Sequence, residues 1–115
     1  MAQKRLWTDD EMIVVLDLYF KLPFGKQGKT TPEVQEIAKL IGRTDSAVVM
    51  RLGNYAACDP YILSTGRHGL SRGGALCKIV FEKYNKDKAT LSIKAKEIRE
   101  KLVGVNRARM PKKED

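Results

Sequence analysis

The sequence predicts an all-α protein, and three observations lead to that fold class. Apolar residues recur at helical spacing in several segments, as in "EMIVVLDLYFKL" and "PEVQEIAKLIG". Residues that start helices stand just before such segments, for example Thr31 followed by Pro32. No long segment alternates apolar and polar residues as a β-strand does. With 115 residues, we expect one modest core of three helices, then a glycine-rich link and two further helices.

The first helix is expected to begin after Thr8 and to end before Pro23. Thr8 and Glu11 have the spacing of a capping box, in which each side chain bonds to the backbone N–H of the other. Trp7 stands just before the cap, where it can pack against Met12. The predicted buried residues of this helix are Met12, Val15, Leu16, Tyr19 and Phe20.

Two more helices are predicted to meet at a tight corner in "EIAKLIGRTDSAVVMRLGNY". Gly42 ends the second helix and Thr44 caps the third. A helix-turn-helix needs a small residue in its first helix, a glycine at the turn and an apolar residue that fixes its second helix. Ala38, Gly42 and Val48 stand at those places. The predicted core at about residues 7–57 is therefore a helix-turn-helix, although such corners also occur as plain core packing.

In a helix-turn-helix, residues near the start of the recognition helix face the base edges of DNA. The predicted exposed positions of this helix are Asp45, Ser46, Val49 and Arg51. Ser46 and Val49 would lie nearest the bases, while Arg43 and the backbone of Thr44 are placed for phosphate. The predicted DNA-binding residues of the corner are Arg43, Thr44, Ser46, Val49 and Arg51. Asp45 would repel phosphate, which argues against strong base readout.

A long irregular link, "DPYILSTGRHGLSRGG", is predicted after the corner, and "STGRHGLSRGG" is its glycine-rich part. Its basic residues Arg67, His68 and Arg72 suit a loop that follows phosphates or enters a groove, and a solvated surface loop is the alternative. Two C-terminal helices are expected at about 74–103. The whole of 1–103 is then a single helical DNA-binding domain, and 104–115 is a flexible basic tail.

The formal net charge is +8, and the excess is concentrated towards the C-terminus. Residues 1–82 hold 11 basic and 9 acidic residues, whereas residues 83–115 hold 11 basic and 5 acidic residues. A basic chain of this size favours a polyanionic partner, most often nucleic acid. The lysines concerned are Lys83, Lys86, Lys88, Lys94, Lys96 and Lys101. They either contact nucleic acid or form a solvated face.

The composition argues against metal, cofactor and catalytic chemistry. A single histidine, His68, does not supply the ligands of an HNH nuclease or the base of a hydrolase triad. Cys58 and Cys77 lack the paired spacing of a zinc site. We expect no cofactor. No apolar run is long enough to span a bilayer and no signal peptide is evident, so a cytoplasmic, nucleoid-associated protein is expected.

Several motifs together resemble the N-terminal domain that precedes HNH catalytic domains in bacterial restriction-type endonucleases. The motifs lie between about Trp7 and Tyr84 and read W-T-x-x-E, Y-F-K-L-P-F-G, A-K-L-I-G-R-T-x-S-A-V, R-L-x-N-Y and G-R-H-G-L-S. The first motif and the GRT-x-SAV corner also resemble Myb/SANT-like DNA-binding domains. The resemblance implies DNA binding that guides a nuclease, in a restriction, phage or mobile-element context. Nuclease activity is not implied, because no HNH-like segment follows Tyr84.

The expected function is therefore non-catalytic binding of double-stranded DNA, with a homodimer or a nuclease as further partners and no membrane. A stand-alone module and a fragment of a longer nuclease both fit, and Met1 and the tail favour the first. The alternative is a protein-interaction adaptor or inhibitor related to a nuclease recognition domain. In that case the apolar residues Tyr61, Ile62 and Leu63 would contribute more to binding the protein partner than the arginines would.

Overall fold

The computed structural model describes residues 6–66 and 74–109, and all its regular structure is helical, as the sequence predicts. The helices are α1 (Asp9–Lys21), α2 (Pro32–Ile41), α3 (Asp45–Cys58), α4 (Pro60–Ser64), α5 (Gly74–Tyr84) and α6 (Lys88–Arg109), with one 3-10 turn at Phe24–Lys26. No strand occurs within these two ranges.

The predicted starts of α1 and α3 are confirmed by their caps. The Glu11 backbone N–H donates to the Thr8 hydroxyl at 3.2 Å, and the Thr8 N–H donates to the Glu11 carboxylate at 3.0 Å. This is the complete capping box. At α3, the Ala47 N–H donates to the Thr44 hydroxyl at 3.1 Å. Each cap satisfies backbone donors that the first turn of a helix leaves unpaired.

Three sequence predictions need correction. Thr31 precedes α2 but does not cap it with its side chain, because its hydroxyl donates to the Lys26 carbonyl instead. The link after α3 begins with the short helix α4, which the Asp59 carboxylate caps by accepting from the Tyr61 N–H at 2.9 Å. The last helix continues through 104–109 where a flexible tail was expected. Gly104 does not end it, since an internal glycine costs a helix only about 1 kcal/mol relative to alanine.

Helix α1 is the centre of the molecule, since it packs against α2, α3, α5 and α6. This environment buries more of α1 than the single apolar face that the sequence predicts. Met12, Val15, Leu16 and Tyr19 are buried as expected, and Phe20 is partly buried. Val14 and Leu18 are buried as well, on the sides that α5 and α6 help to cover. The additional coverage also encloses two acidic residues of α1, Glu11 and Asp17.

Aromatic rings join α1, α3 and α5 in the middle of the core. Tyr19, Tyr55 and Phe81 lie with ring centroids 6.1 to 6.4 Å apart. The Tyr55 hydroxyl donates to the Met12 carbonyl at 2.8 Å, and the Tyr19 hydroxyl donates to the Asp59 carboxylate at 2.6 Å. Burial raises the pKa of both phenols well above the usual 10, because the interior disfavours the phenolate.

Candidate nucleic-acid interface

The α2–α3 corner has the backbone conformation that its sequence favours. Gly42 adopts φ 73° and ψ 34°, a left-handed conformation that costs a residue with a Cβ roughly 1 kcal/mol or more. The Arg43 N–H donates to the Ala38 carbonyl at 2.9 Å, so the end of α2 is satisfied by the chain that turns away from it. Ala38 and Val48 are both buried, and α2 packs against α3.

The outer face of α3 is mostly uncharged. Ser46 and Met50 are exposed, and Met50 keeps 59% of its surface accessible. Asp45 is half-buried at the start of the helix. Val49, predicted near the bases, is partly buried and packs against the core. Thr44 is exposed beside these residues, and its hydroxyl oxygen accepts the cap hydrogen bond from the Ala47 N–H. The small uncharged surface at the start of α3 is therefore formed by Thr44, Ser46 and Met50.

Both arginines of the predicted interface point at Trp7. The guanidinium carbon of Arg43 lies 4.2 Å from the Trp7 ring centroid, and that of Arg51 lies 4.6 Å from it. Cations over an indole face are attracted by its quadrupole, by about 0.5–2 kcal/mol each. Trp7 was expected to pack against α1, and it does lie against the core, but two guanidiniums also contact its ring. We call this group of Trp7, Arg43 and Arg51 the tryptophan cluster.

Arg43 is tied to the chain by strong contacts within the molecule. Its Nη2 lies 2.9 Å from the Glu11 Oε1 and donates to the Leu6 carbonyl at 2.9 Å. Only 11% of the Arg43 side chain is exposed. Glu11 thus caps α1 and neutralises Arg43 with the same carboxylate. The position predicted for phosphate contact instead connects the corner to the start of α1.

Arg51 is also directed inwards, so the prediction of an exposed Arg51 on the face of α3 is wrong. Its Nη1 lies 2.9 Å from the Cys77 Sγ on α5, and its side chain is half-buried. Cys77 is fully buried, and Cys58 is half-buried with its thiol pKa raised by burial. A long cation that packs on Trp7 and reaches α5 joins three segments of the chain. Helical spacing alone does not show this, because α5 covers that side of α3.

The remaining predicted contacts, Arg67, His68 and Arg72, lie outside the described residues 6–66 and 74–109. No geometry is assigned to them. The described chain before them ends at Gly66, two residues after α4, and the described chain after them resumes at the start of α5.

The C-terminal lysines lie on the side of the molecule formed by the end of α5 and by α6. Helix α6 packs on α1, α2 and α5, and within the described residues it makes no contact with α3. The exposed lysines of this side are Lys83, Lys86, Lys88, Lys94, Lys96 and Lys101. Two of them, Lys83 and Lys94, lie over the Tyr84 ring at 5.4 and 5.8 Å. Most of this positive charge therefore lies on α6 and the turn before it, and α6 does not pack against α3.

The described residues also bear on metal binding and on membrane spanning. They contain no group of three or more His, Cys, Asp or Glu side chains that could hold a metal ion. In the same ranges, no helix is both long enough and apolar enough to cross a membrane. Comparisons with protein-family models, with curated proteins and with solved structures found no match to this chain. The resemblance to the domain that precedes HNH nucleases stays a prediction from the motifs.

Proposed function

We propose that this chain is a non-catalytic helix-turn-helix protein that binds double-stranded DNA through the α2–α3 corner. The observation that supports this most is the corner itself, with its left-handed Gly42 and its capped, outward-facing start of α3. A recognition helix presents such a start to the major groove. The restriction, phage or mobile-element context, and binding at the nucleoid, belong to the same proposal and rest on the motif resemblance.

The residues assigned to DNA differ from those that the sequence favours. Thr44 and Ser46 are exposed at the start of α3, where hydroxyl groups can contact phosphate or a base edge. Met50 is exposed on the same helix and offers an apolar contact for a thymine methyl group. Arg43 and Arg51 support the corner from inside through the tryptophan cluster. Arg67, His68 and Arg72 remain proposed phosphate contacts of the link.

Charge contributes mainly through long-range attraction. The exposed face of α3 carries no lysine or arginine among the described residues, whereas the excess of basic residues lies in the C-terminal third. The protein is therefore drawn to polyanions as a whole, and phosphate contacts dominate binding. A single short recognition helix covers few base pairs, so a homodimer with two copies of α3 would extend the site by one helical turn.

The direct test is fluorescence anisotropy of the protein on a duplex of about 20–30 base pairs, or two to three helical turns, at several salt concentrations. We expect saturable binding that weakens steeply with salt. Ser46→Glu, which places a negative charge at the start of α3, should weaken binding about tenfold. The matched control is Ala89→Glu, which adds the same charge at an exposed position on α6, away from α3.

Two results would contradict the proposal. Absence of binding at low salt removes DNA as the partner. Equal losses of DNA affinity for Ser46→Glu and Ala89→Glu would show that the attraction is non-specific and that the α2–α3 corner does not contact the DNA. Arg51→Ala is a poor test of the interface, because its side chain contacts Trp7 and Cys77 and its loss would act through folding.

A second candidate function, a protein-interaction adaptor or inhibitor of a nuclease, has its own observation. Tyr61 and Leu63 on α4 are 71% and 50% exposed, although Ile62 between them is buried. Exposed large apolar residues on one short helix suit a protein contact. Capture of a nuclease partner that is abolished by Leu63→Ser, with DNA binding absent, would favour this candidate over the first.

A further inference from the structure

A cleft of about 550 Å³ opens between the end of α1, the start of α4 and the turn that joins α5 to α6. Its volume falls in the range of sites for small organic ligands, about 300–1,000 Å³. It lies at the C-terminal end of α3, next to Asp59 and Pro60, whereas Thr44 stands at the other end of that helix. A helix of 14 residues is roughly 20 Å long. The cleft is therefore separate from the DNA face proposed above.

The lining of the cleft combines polar side chains with three aromatic residues and two prolines. Phe20 and Tyr61 both line it, as do Pro23 and Pro60. Tyr61 keeps 71% of its surface exposed at the rim, and Phe20 is only partly buried. Rings left open in this way can stack with a planar group, and such aromatic pairs contribute about 0.5–1.5 kcal/mol beyond area burial. The two rings thus favour a ligand that contains a planar group.

Two of the polar side chains in the lining are already used by the fold. The Asp59 carboxylate accepts from the Tyr19 hydroxyl with one oxygen and from the Tyr61 N–H with the other. Gln27 donates to the carbonyls of Tyr19 and Leu22 at 3.4 Å and so helps to end α1. Neither needs a ligand to satisfy it.

The other polar side-chain groups of the lining are the Tyr61 hydroxyl, Asn85 and Lys88. Lys88 is exposed, and its ammonium lies 4.5 Å from the Phe20 ring centroid, so the positive charge stands directly over one of the stacking walls. Asn85 is half-buried at the turn before α6 and can donate from its amide group. A cation beside an aromatic wall selects a ligand in which an anionic group is attached to a planar ring.

We propose that this cleft binds a small planar aromatic molecule that carries one anionic group. On binding, the Lys88 ammonium moves off the Phe20 face, so that the ligand ring stacks against Phe20 and Tyr61 and its carboxylate or phosphate is held by Lys88 with help from Asn85. A free aromatic acid and a mononucleotide share this chemistry. The proposal does not depend on DNA binding, because no residue of the α2–α3 corner lines the cleft.

The test is a titration of the full-length ¹⁵N-labelled protein followed by amide chemical shifts. Benzoate carries ring and anion, benzamide carries the ring alone and acetate carries the anion alone. We expect saturable shifts around Tyr61, Asn85 and Lys88 with benzoate, weaker binding of benzamide and none of acetate. A second titration uses adenosine 5′-monophosphate. If it binds more tightly than benzoate, the cleft is assigned to nucleotides. If it binds more weakly, the cleft is assigned to aromatic acids.

Matched variants identify the cation. Lys88→Ala should weaken benzoate binding about tenfold and leave benzamide binding unchanged. Lys88→Arg, which keeps the positive charge, should bind benzoate about as tightly as the wild type. Lys96→Ala, another exposed lysine of α6 that does not line the cleft, should have no effect. The proposal is overturned if no probe gives saturable shifts there, if benzamide binds as well as benzoate, or if Lys88→Ala and Lys96→Ala behave alike.

Discussion

Two buried carboxylates of α1 differ in how their charge is balanced. Glu11 and Asp17 are 5% and 2% exposed, and each lies 2.9 Å from an arginine that is distant in sequence. Glu11 faces Arg43, whose side chain is only 11% exposed. Asp17 faces Arg99 and also Lys21, whose side chains are 32% and 51% exposed, and both lie 2.9 Å from the same Oδ2. We call the first the closed pair and the second the open pair.

The difference shows what each pair can do for the fold. In the closed pair both charges are removed from water, so either charge left alone keeps a large desolvation penalty. In the open pair Lys21 and Arg99 remain partly exposed to water. If one of these cations is removed, the other still forms an ion pair with Asp17. The closed pair therefore fixes the α2–α3 corner to the start of α1. The open pair holds α6 to the other end of α1 with less dependence on any single residue.

The largest effect is expected for Arg43→Ala. It leaves the Glu11 carboxylate buried without this cation and removes a contact on Trp7, so the free energy of unfolding should fall by about 3 kcal/mol or more. Urea denaturation followed by circular dichroism measures it. The control is Lys39→Ala, an exposed lysine of α2, which should change stability by at most about 0.5 kcal/mol. Similar values for the two variants would show that the pair is not closed.

A smaller effect is expected for Asp17→Asn, which removes the shared anion of the open pair. Lys21 and Arg99 can hydrate, so the loss should be about 1.5 kcal/mol rather than that of a closed pair. The same urea experiment applies, with Glu97→Gln on the exposed face of α6 as the control. A loss equal to that of Arg43→Ala would remove the distinction between the two pairs.

The hydrogen bond between Tyr55 and α1 involves no charged group, so its contribution to stability can be compared with those of the two ion pairs. Tyr55→Phe removes the hydrogen bond to the Met12 carbonyl and should cost about 1 kcal/mol near neutral pH. Because burial raises the pKa of Tyr55 above its usual 10, the unfolded chain loses this proton first as pH rises. Stability should therefore be highest below about pH 10 and decline above it.

The Tyr55→Phe variant should lose less stability than the wild type between about pH 9 and pH 11. Tyr19, whose pKa is also raised, accounts for part of the remaining decline. Unfolding free energies measured across this range provide the check. Parallel pH profiles for variant and wild type would mean that Tyr55 does not contribute to the alkaline loss.

The smallest effect is expected for Arg99→Ala. Lys21 still balances Asp17 and Arg99 is partly exposed, so the loss should be about 0.5–1 kcal/mol. Added salt should shrink this difference, because mobile ions screen exposed charges more than buried ones. The cost of Arg43→Ala should change little over the same salt range. A salt-independent cost for Arg99→Ala would place the open pair in the same class as the closed pair.

The sequence predicts the helices of this protein well where a local signal defines them. The capping box of Thr8 and Glu11, the cap at Thr44 and the left-handed Gly42 all arise from contacts within a few residues, and the structure confirms each. The prediction failed for the end of α6, because Gly104 alone is too weak a signal to end a helix. It also missed α4, where Asp59 and Pro60 begin a helix of only five residues.

The candidate site is harder to predict, because its side chains are oriented by partners far along the chain. Arg43 and Arg51 stand at positions that a helix-turn-helix exposes, yet both contact Trp7, more than 30 residues earlier. Their basic character is consistent with DNA contact and equally with a cation–π contact. Ser46 is exposed as predicted, since no other element packs over it.

By itself, the sequence determined the all-α class, the caps, the α2–α3 corner and the excess of positive charge, because these depend on residue type and short spacing. Only the tertiary structure decided which charges face inwards. Packing of four helices around α1 buries Glu11 and Asp17, and each buried carboxylate then requires a cation from another segment. That requirement directs Arg43 inwards, and it leaves Thr44 and Ser46 as exposed residues at the start of α3.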